Sequence, residues 1–250
     1  MRLLLVVVAV LWGAGTGLLL PRAAYRFSVE PEEPWAARCP AGHPLTGAFG
    51  GWLGLARCPG GADGTACPPY GPRTVTVAAV TALVCAALAA ATGARPELAV
   101  WLSAAPVAVL LALVDLRVHR LPDVLTLPLA VATAALLGVA ALLPGDGGSW
   151  PIALLGGLAL CAAYLVLHWI NPAGMGPGDV KVALGLGVAL GWYGWAVLVT
   201  GGFAGVLFGA VYGVGLLILR RAGRKTPIPM GPFMIAGTFT GLLLGALAVS

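Results

Sequence analysis

Residues 152–170 read Ile-Ala-Leu-Leu-Gly-Gly-Leu-Ala-Leu-Cys-Ala-Ala-Tyr-Leu-Val-Leu-His-Trp-Ile, without one Asp, Glu, Lys or Arg. A helix of that length rises about 28 Å, close to the roughly 30 Å of hydrocarbon in a bilayer. Working outward, seven more stretches of this kind can be drawn: Leu3–Leu20, Val75–Ala91, Leu98–Leu113, Val124–Leu143, Val182–Val199, Gly202–Leu219 and Gly231–Val249. The whole chain agrees with them. Of its 250 residues 60% are hydrophobic and 9% charged, with 37 Gly, 20 Pro and a mean hydropathy of +0.97. Soluble domains carry about 25% charged residues. The expectation is an all-α integral membrane protein of about eight transmembrane helices. That excludes a soluble enzyme and a nucleic-acid-binding module, so the net charge of +5 needs no nucleic acid.

The apolar run Leu3–Leu20 is too long for a usual signal peptide and no small-x-small cleavage site follows, so it reads as a retained helix. The basic residues set the orientation, because Lys and Arg collect in cytoplasmic loops. With the N-terminus outside, those loops hold Arg22, Arg26, Arg38, Arg57, Arg73, Arg117, Arg120, Lys181, Arg220, Arg221, Arg224 and Lys225, leaving only Arg2 and Arg95 outside. Three parts follow: a first transmembrane helix (1–20), a cytoplasmic loop domain (21–74) and a seven-helix membrane domain (75–250). The loop domain carries Glu30, Glu32, Glu33 and Asp63, has little periodicity, and would need a staple to hold a fold.

Acids at membrane depth are costly and usually functional. Asp115 ends the run Val109–Val114, with Arg117 and Arg120 following; alone it reads equally as an interfacial carboxylate beside two arginines. Asp179 ends Asn171-Pro172-Ala173-Gly174-Met175-Gly176-Pro177-Gly178-Asp179 and opens the sixth helix; alone it reads equally as an N-cap. Gly176 and Gly178 are expected to supply positive φ or close backbone approach. Asp123, after Leu121-Pro122, reads as an N-cap or a supporting group. Taken together, Asp115 and Asp179 reach the same membrane face. Two facing carboxylates share one proton, so one is poised as base on water and the other as acid. The positive end of the sixth helix favours ionised Asp179, leaving Asp115 as the expected proton donor.

These residues resemble the type IV prepilin peptidases, membrane aspartyl proteases of the GxGD type. Three segments carry the resemblance: Val114-Asp115 running into Leu121-Pro122-Asp123, Gly176-Pro177-Gly178-Asp179-Val180-Lys181, and Ile228-Pro229-Met230-Gly231-Pro232-Phe233-Met234. The resemblance covers roughly Leu98 to Gly241. It implies a membrane endopeptidase that cuts the basic leader of type IV prepilins or pseudopilins at the cytoplasmic face. Asp115 and Asp179 would be the catalytic pair, Gly176 and Gly178 the motif glycines, and Lys181 a motif lysine without a derivable role. No cofactor is required for such proteolysis. Many members also methylate the new N-terminus with S-adenosylmethionine, so cleavage alone and cleavage with methylation both stay open. A proton-coupled transporter is the rival from another class.

The N-terminal third departs from the family's pattern. In place of two CxxC pairs stand Cys39-Pro40-Ala41-Gly42-His43, Cys58 and Cys67. Cys39, His43, Cys58 and Cys67 could supply one tetrahedral zinc site; reduced thiols are the other reading. The family's polar stretch after the first helix is replaced by Gly13–Arg22, and no separate S-adenosylmethionine site is visible. His119 reads as a solvated loop residue and His168 as an interfacial anchor. Glu30, Glu32 and Glu33 could receive a basic leader.

Overall fold

A computed structural model describes residues 2–30, 32–58, 67, 70–172, 174–219 and 228–249. Its helices are α1 (Arg2–Phe27), α2 (Ala48–Gly51), α3 (Thr74–Thr92), α4 (Glu97–Val118), α5 (Asp123–Ala140), α6 (Trp150–Ile170), α7 (Pro177–Gly191), α8 (Trp195–Ile218) and α9 (Gly231–Ala248). All but α2 and α7 are long and apolar enough to cross a membrane. Large side chains such as Leu3, Val131, Val199 and Phe203 stay exposed on them, as lipid-facing residues do. The chain is a multi-pass helical membrane protein. Asp63, Arg220, Arg221, Arg224 and Lys225 lie outside the described residues.

Two expected boundaries move. The stretch Val182–Val199 is not one helix. Its chain turns at Trp192-Tyr193-Gly194, with Gly194 at φ 101°, and Trp195–Val199 begin α8. That leaves α7 with 15 residues, about 22 Å of rise. Its ends still reach both poles of the bundle: Lys181 meets Asp123 at one, and the Trp192 carbonyl accepts the Ser149 N–H at the other. The second shift lengthens α1, which runs through Pro21 to Phe27. Its last turns bury Ala23, Ala24, Arg26 and Phe27, with the two alanines and Phe27 in one cluster with Val77 of α3 and Leu110 and Val114 of α4. Phe27 packs against Trp35 and Trp52, with centroids 5.0 and 4.7 Å away, and the Arg26 guanidinium lies 4.0 Å over Trp52. Arg22 and Arg26 donate to the carbonyls of Thr46 and Gly50. Arginines expected to mark a membrane side thus also hold the loop domain on α1.

Lipid is as apolar as leucine, so helices in a bilayer join by close packing rather than by the hydrophobic effect. Glycines provide the approach. A Cβ at Gly13 on α1 would lie 2.6 Å from the Thr81 carbonyl of α3. One at Gly187 on α7 would lie 2.6 Å from the Gly156 carbonyl of α6, and one at Gly237 on α9 would run into the Gly205 amide of α8. These three contacts pair the helices, and α4 crosses between the pairs to carry Asp115 inward.

The pole opposite the acidic motifs holds a polar network. Glu97, fully buried, lies 3.2 Å from Arg95 Nε and accepts from the Tyr193 hydroxyl at 3.3 Å. Arg95 Nη2 donates to the Ala246 carbonyl at 2.7 Å, and Trp101 Nε1 donates to Tyr193 at 3.2 Å. This network ties the start of α4, the α7–α8 turn and the end of α9 together.

Candidate active site

Asp115 lies in the last turn of α4, 3% exposed. The helix stops four residues later at His119, whose φ is 50° and whose N–H donates to the Asp115 carbonyl at 2.9 Å. The carboxylate does not turn to the arginines. Arg120 donates to the Glu30 carbonyl at 3.2 Å and stacks 5.3 Å from Trp35. Asp115 Oδ2 instead accepts the Gly231 N–H at 2.9 Å. Gly231 is the first residue of α9, so the third motif places a helix N-terminus on this carboxylate. A Cβ at Gly231 would sit 2.8 Å from Asp115 Oδ2.

Asp179 is 7% exposed in the first turn of α7. Its Oδ2 accepts the Gly176 N–H at 2.9 Å, and its own N–H donates to the Gly176 carbonyl at 3.1 Å. Leu121 packs against both Gly178, the residue before Asp179, and Gly231, which binds Asp115, so the two carboxylates lie at one pole of the bundle. Each is bound to one backbone N–H at a helix N-terminus. The expected asymmetry, in which the dipole favours ionised Asp179 only, therefore disappears, because α9 does for Asp115 what α7 does for Asp179. The segment over the pair is open: Asn171, Pro172, Gly174, Gly176 and Pro177 are exposed.

Neither motif glycine has a positive φ, and only Gly178 is short of space, since a Cβ at Gly176 would meet nothing closer than Asp179 Oδ2 at 3.6 Å. Gly176 has φ −75°, and Gly178 is not among the positive-φ residues. A Cβ at Gly178 would lie 3.1 Å from that of Leu121 in the α4–α5 connection, so Gly178 lets α7 close on the segment that follows Asp115. Asp123 is not the N-cap of α5, a position held by Pro122. Its Oδ2 accepts from Lys181 Nζ at 2.6 Å, which gives the motif lysine a partner and joins the starts of α5 and α7. His168, expected as an interfacial anchor, is half-buried at the end of α6, and its Nδ1 lies 2.7 Å from the Met175 carbonyl. His119 is exposed, as expected.

In the loop domain Cys39, His43, Cys58 and Cys67 converge, their ligand atoms all within 4.8 Å of one another. His43 Nδ1 lies 3.7 Å from Cys39 Sγ, 3.6 Å from Cys58 Sγ and 3.1 Å from Cys67 Sγ, and the thiols of Cys39 and Cys67 are 4.0 Å apart. Tetrahedral ligands about 2.3 Å from zinc are about 3.8 Å apart, so the set fits that metal. Burial works against ionising Cys39, but backbone donors from His43 and Ala41 pull its thiol down to about 7. The neighbouring Cys58 thiol and burial push Cys67 up to about 12.

Sequence reasoning passed over Glu97, although Arg95-Pro96-Glu97 places two charges at the start of an apolar run. It also passed over Gly231 as a donor, since no side chain announces one.

Comparison with known proteins adds the following. The type IV leader peptidase family matches residues 102–214. The chain is similar to a prepilin leader peptidase/N-methyltransferase of Aeromonas salmonicida, 34% identical over 146 residues, which cover 56% of this chain and 47% of that one. A protein of the same name from Pseudomonas aeruginosa is 35% identical over 140 residues, covering 54% and 46%. The one from Bacillus subtilis is 30% identical over 191 residues, covering 74% and 73%. The match thus spans about half the length of the first two relatives. No solved structure matches the chain.

Proposed function

The chain belongs to the type IV leader peptidase family, and we propose that it is a membrane aspartic endopeptidase that removes the basic leader of prepilins or pseudopilins. One observation carries this reading: Asp115 and Asp179, on different helices, are both buried at one pole of the bundle beside an exposed loop, each holding a single backbone N–H. Mutual repulsion leaves one proton on the pair. The ionised carboxylate takes a proton from water as its oxygen attacks the scissile carbonyl. The protonated one gives its proton to the carbonyl oxygen. The tetrahedral adduct then collapses, the C–N bond breaks and the amine leaves with a proton. Both aspartates lie in terminal turns of their helices, as a protease cutting beside a membrane helix requires. A transporter site would be expected near the bilayer midplane.

The active end faces the cytoplasm in this reading, with the N-terminus outside, supported by the basic residues that collect there. The exposed Glu30, Glu32 and Glu33 are tied beside the catalytic loop through the Arg120–Glu30 bond, which suits them to a basic leader. Cys39, His43, Cys58 and Cys67 would hold a zinc ion that staples the loop domain, apart from the reaction itself. Methylation by S-adenosylmethionine remains the second reading, after the names its relatives carry.

The test is co-expression in membranes with prepilins bearing a basic leader and a Gly before the cut. A shift to the mature size, with the expected N-terminal mass, supports the protease. An extra methyl group on that N-terminus supports the second activity. Inserted protein that cuts no prepilin, or that transports a solute instead, contradicts it.

A further inference from the structure

Asp179 is held by a donor that is itself held. The Met175 carbonyl and the Gly176 N–H are the two poles of one peptide group. The Gly176 N–H binds Asp179 Oδ2 at 2.9 Å, and the Met175 carbonyl is met by His168 Nδ1 at 2.7 Å. A carbonyl only accepts, so Nδ1 carries the hydrogen, and that bond fixes the tautomer. His168 stands in the last turn of α6, half-buried, one turn beyond Tyr164, which is buried in the apolar cluster with Val182 and Leu186 of α7. The Met175 side chain packs against that same cluster, but among the described residues of the loop few hydrogen bonds hold the backbone. Asn171 and Gly174 share one turn bond, Pro172 and Pro177 have no N–H, and Asn171, Pro172, Gly174 and Gly176 are exposed.

We propose that His168 is a positioning residue of the aspartate pair: its Nδ1–H grips the Met175–Gly176 peptide and so keeps the Gly176 N–H on Asp179. A donor at the carbonyl pole also polarises the peptide and strengthens the bond at its N–H pole, by about 10–30% per bond. The inference rests on the protease reading for its kinetic consequence but not for the clamp itself. It concerns an α6 residue outside the Asp115, GxGD and Gly231 segments.

The experiment compares wild type, His168→Ala and His168→Asn in detergent, by kcat and KM on a prepilin and by hydrogen–deuterium exchange. The Asn amide places an N–H near the position of Nδ1; Ala places none. With Ala, kcat should fall roughly 2- to 13-fold, which is about 0.5–1.5 kcal/mol for one hydrogen bond at about 1.4 kcal/mol per tenfold. KM should stay within about twofold, because the clamp acts on the carboxylate and not on the leader. Exchange should quicken in the peptide covering residues 171–179 and not elsewhere in α6 or α7. Asn should recover both the rate and the protection. Unchanged exchange in the Ala variant overturns the proposal, and so does an Asn variant as impaired as Ala. Quickened exchange throughout α6 and α7 would make His168 a general packing residue and also overturn it. If wild type cuts no prepilin, the protease reading fails while the exchange comparison still decides the clamp.

Discussion

Replacing Gly231 by Ala tests the contact between the third motif and the catalytic end. The added Cβ would stand 2.8 Å from Asp115 Oδ2, 3.2 Å from its Cγ and 3.2 Å from Leu121 Cδ2. Ordinary contacts at such atoms begin near 3.4 Å. The Asp115 carboxylate must therefore swing away, and the 2.9 Å bond from the Gly231 N–H lengthens or breaks. A hydrogen bond to a charged group contributes about 1.5–3 kcal/mol, so its loss in the transition state lowers kcat/KM by roughly 10- to 160-fold. The assay is single-turnover cleavage of a prepilin in detergent, with the melting midpoint measured on the same samples. Gly215→Ala is the control, since a Cβ there meets nothing within 4 Å, and it should cut at the wild-type rate. A Gly231→Ala protein that melts normally and cuts as fast as wild type would refute the role given to this N–H.

The Lys181–Asp123 pair is short but 41% and 55% exposed, so Lys181→Met or Asp123→Asn should cost under about 1 kcal/mol of stability and less than tenfold in rate. Thermal melts beside cleavage rates check this, and a larger loss would mean the pair does more than join two helix ends. Purified chain should carry about one zinc, lost in Cys39→Ser and in Cys67→Ser together with resistance of residues 28–73 to proteolysis; metal analysis finding no zinc in wild type contradicts the staple. Gly237→Leu drives a side chain into the Gly205 amide, backbone that cannot yield, and should destabilise α8 against α9 by about 1–3 kcal/mol or more. A wild-type melt for that variant would show that the two helices do not pack as described.

What the sequence made legible is what composition and side-chain identity carry. Apolar length located the long helices, because crossing hydrocarbon demands it. Of the two boundaries that move, the break inside Val182–Val199 falls where Leu190–Val199 is almost wholly apolar and Gly194, at positive φ, marks the turn. Residue type marked Asp115, Asp179 and the Cys/His set as the atoms with chemistry to offer. It did not disclose their partners. Asp115 is bound by a backbone N–H 116 residues away, and Lys181 by a carboxylate 58 residues away, distances over which no local spacing speaks. The dipole argument for dividing the roles of the aspartates was incomplete for the same reason: α7 was visible as a helix end beside Asp179, whereas α9 beside Asp115 is a product of packing. Other signals were present but unread. Gly201, Gly205, Gly209 and Gly213 on α8, with Gly237, Gly241 and Gly245 on α9, recur every fourth residue, as close helix contacts in lipid require.

The central claim is that Asp115 and Asp179 act as one proton-sharing unit. The most direct measurement is single-turnover cleavage by wild type, Asp115→Asn, Asp179→Asn and the double variant, all shown to be folded in the same detergent. Residues that act as a unit give losses that do not multiply. The prediction is that each single variant loses at least about 1,000-fold, and that the double loses no more than about threefold beyond the worse single. A single variant that still cuts near the wild-type rate, or losses that multiply in the double, would contradict the pair.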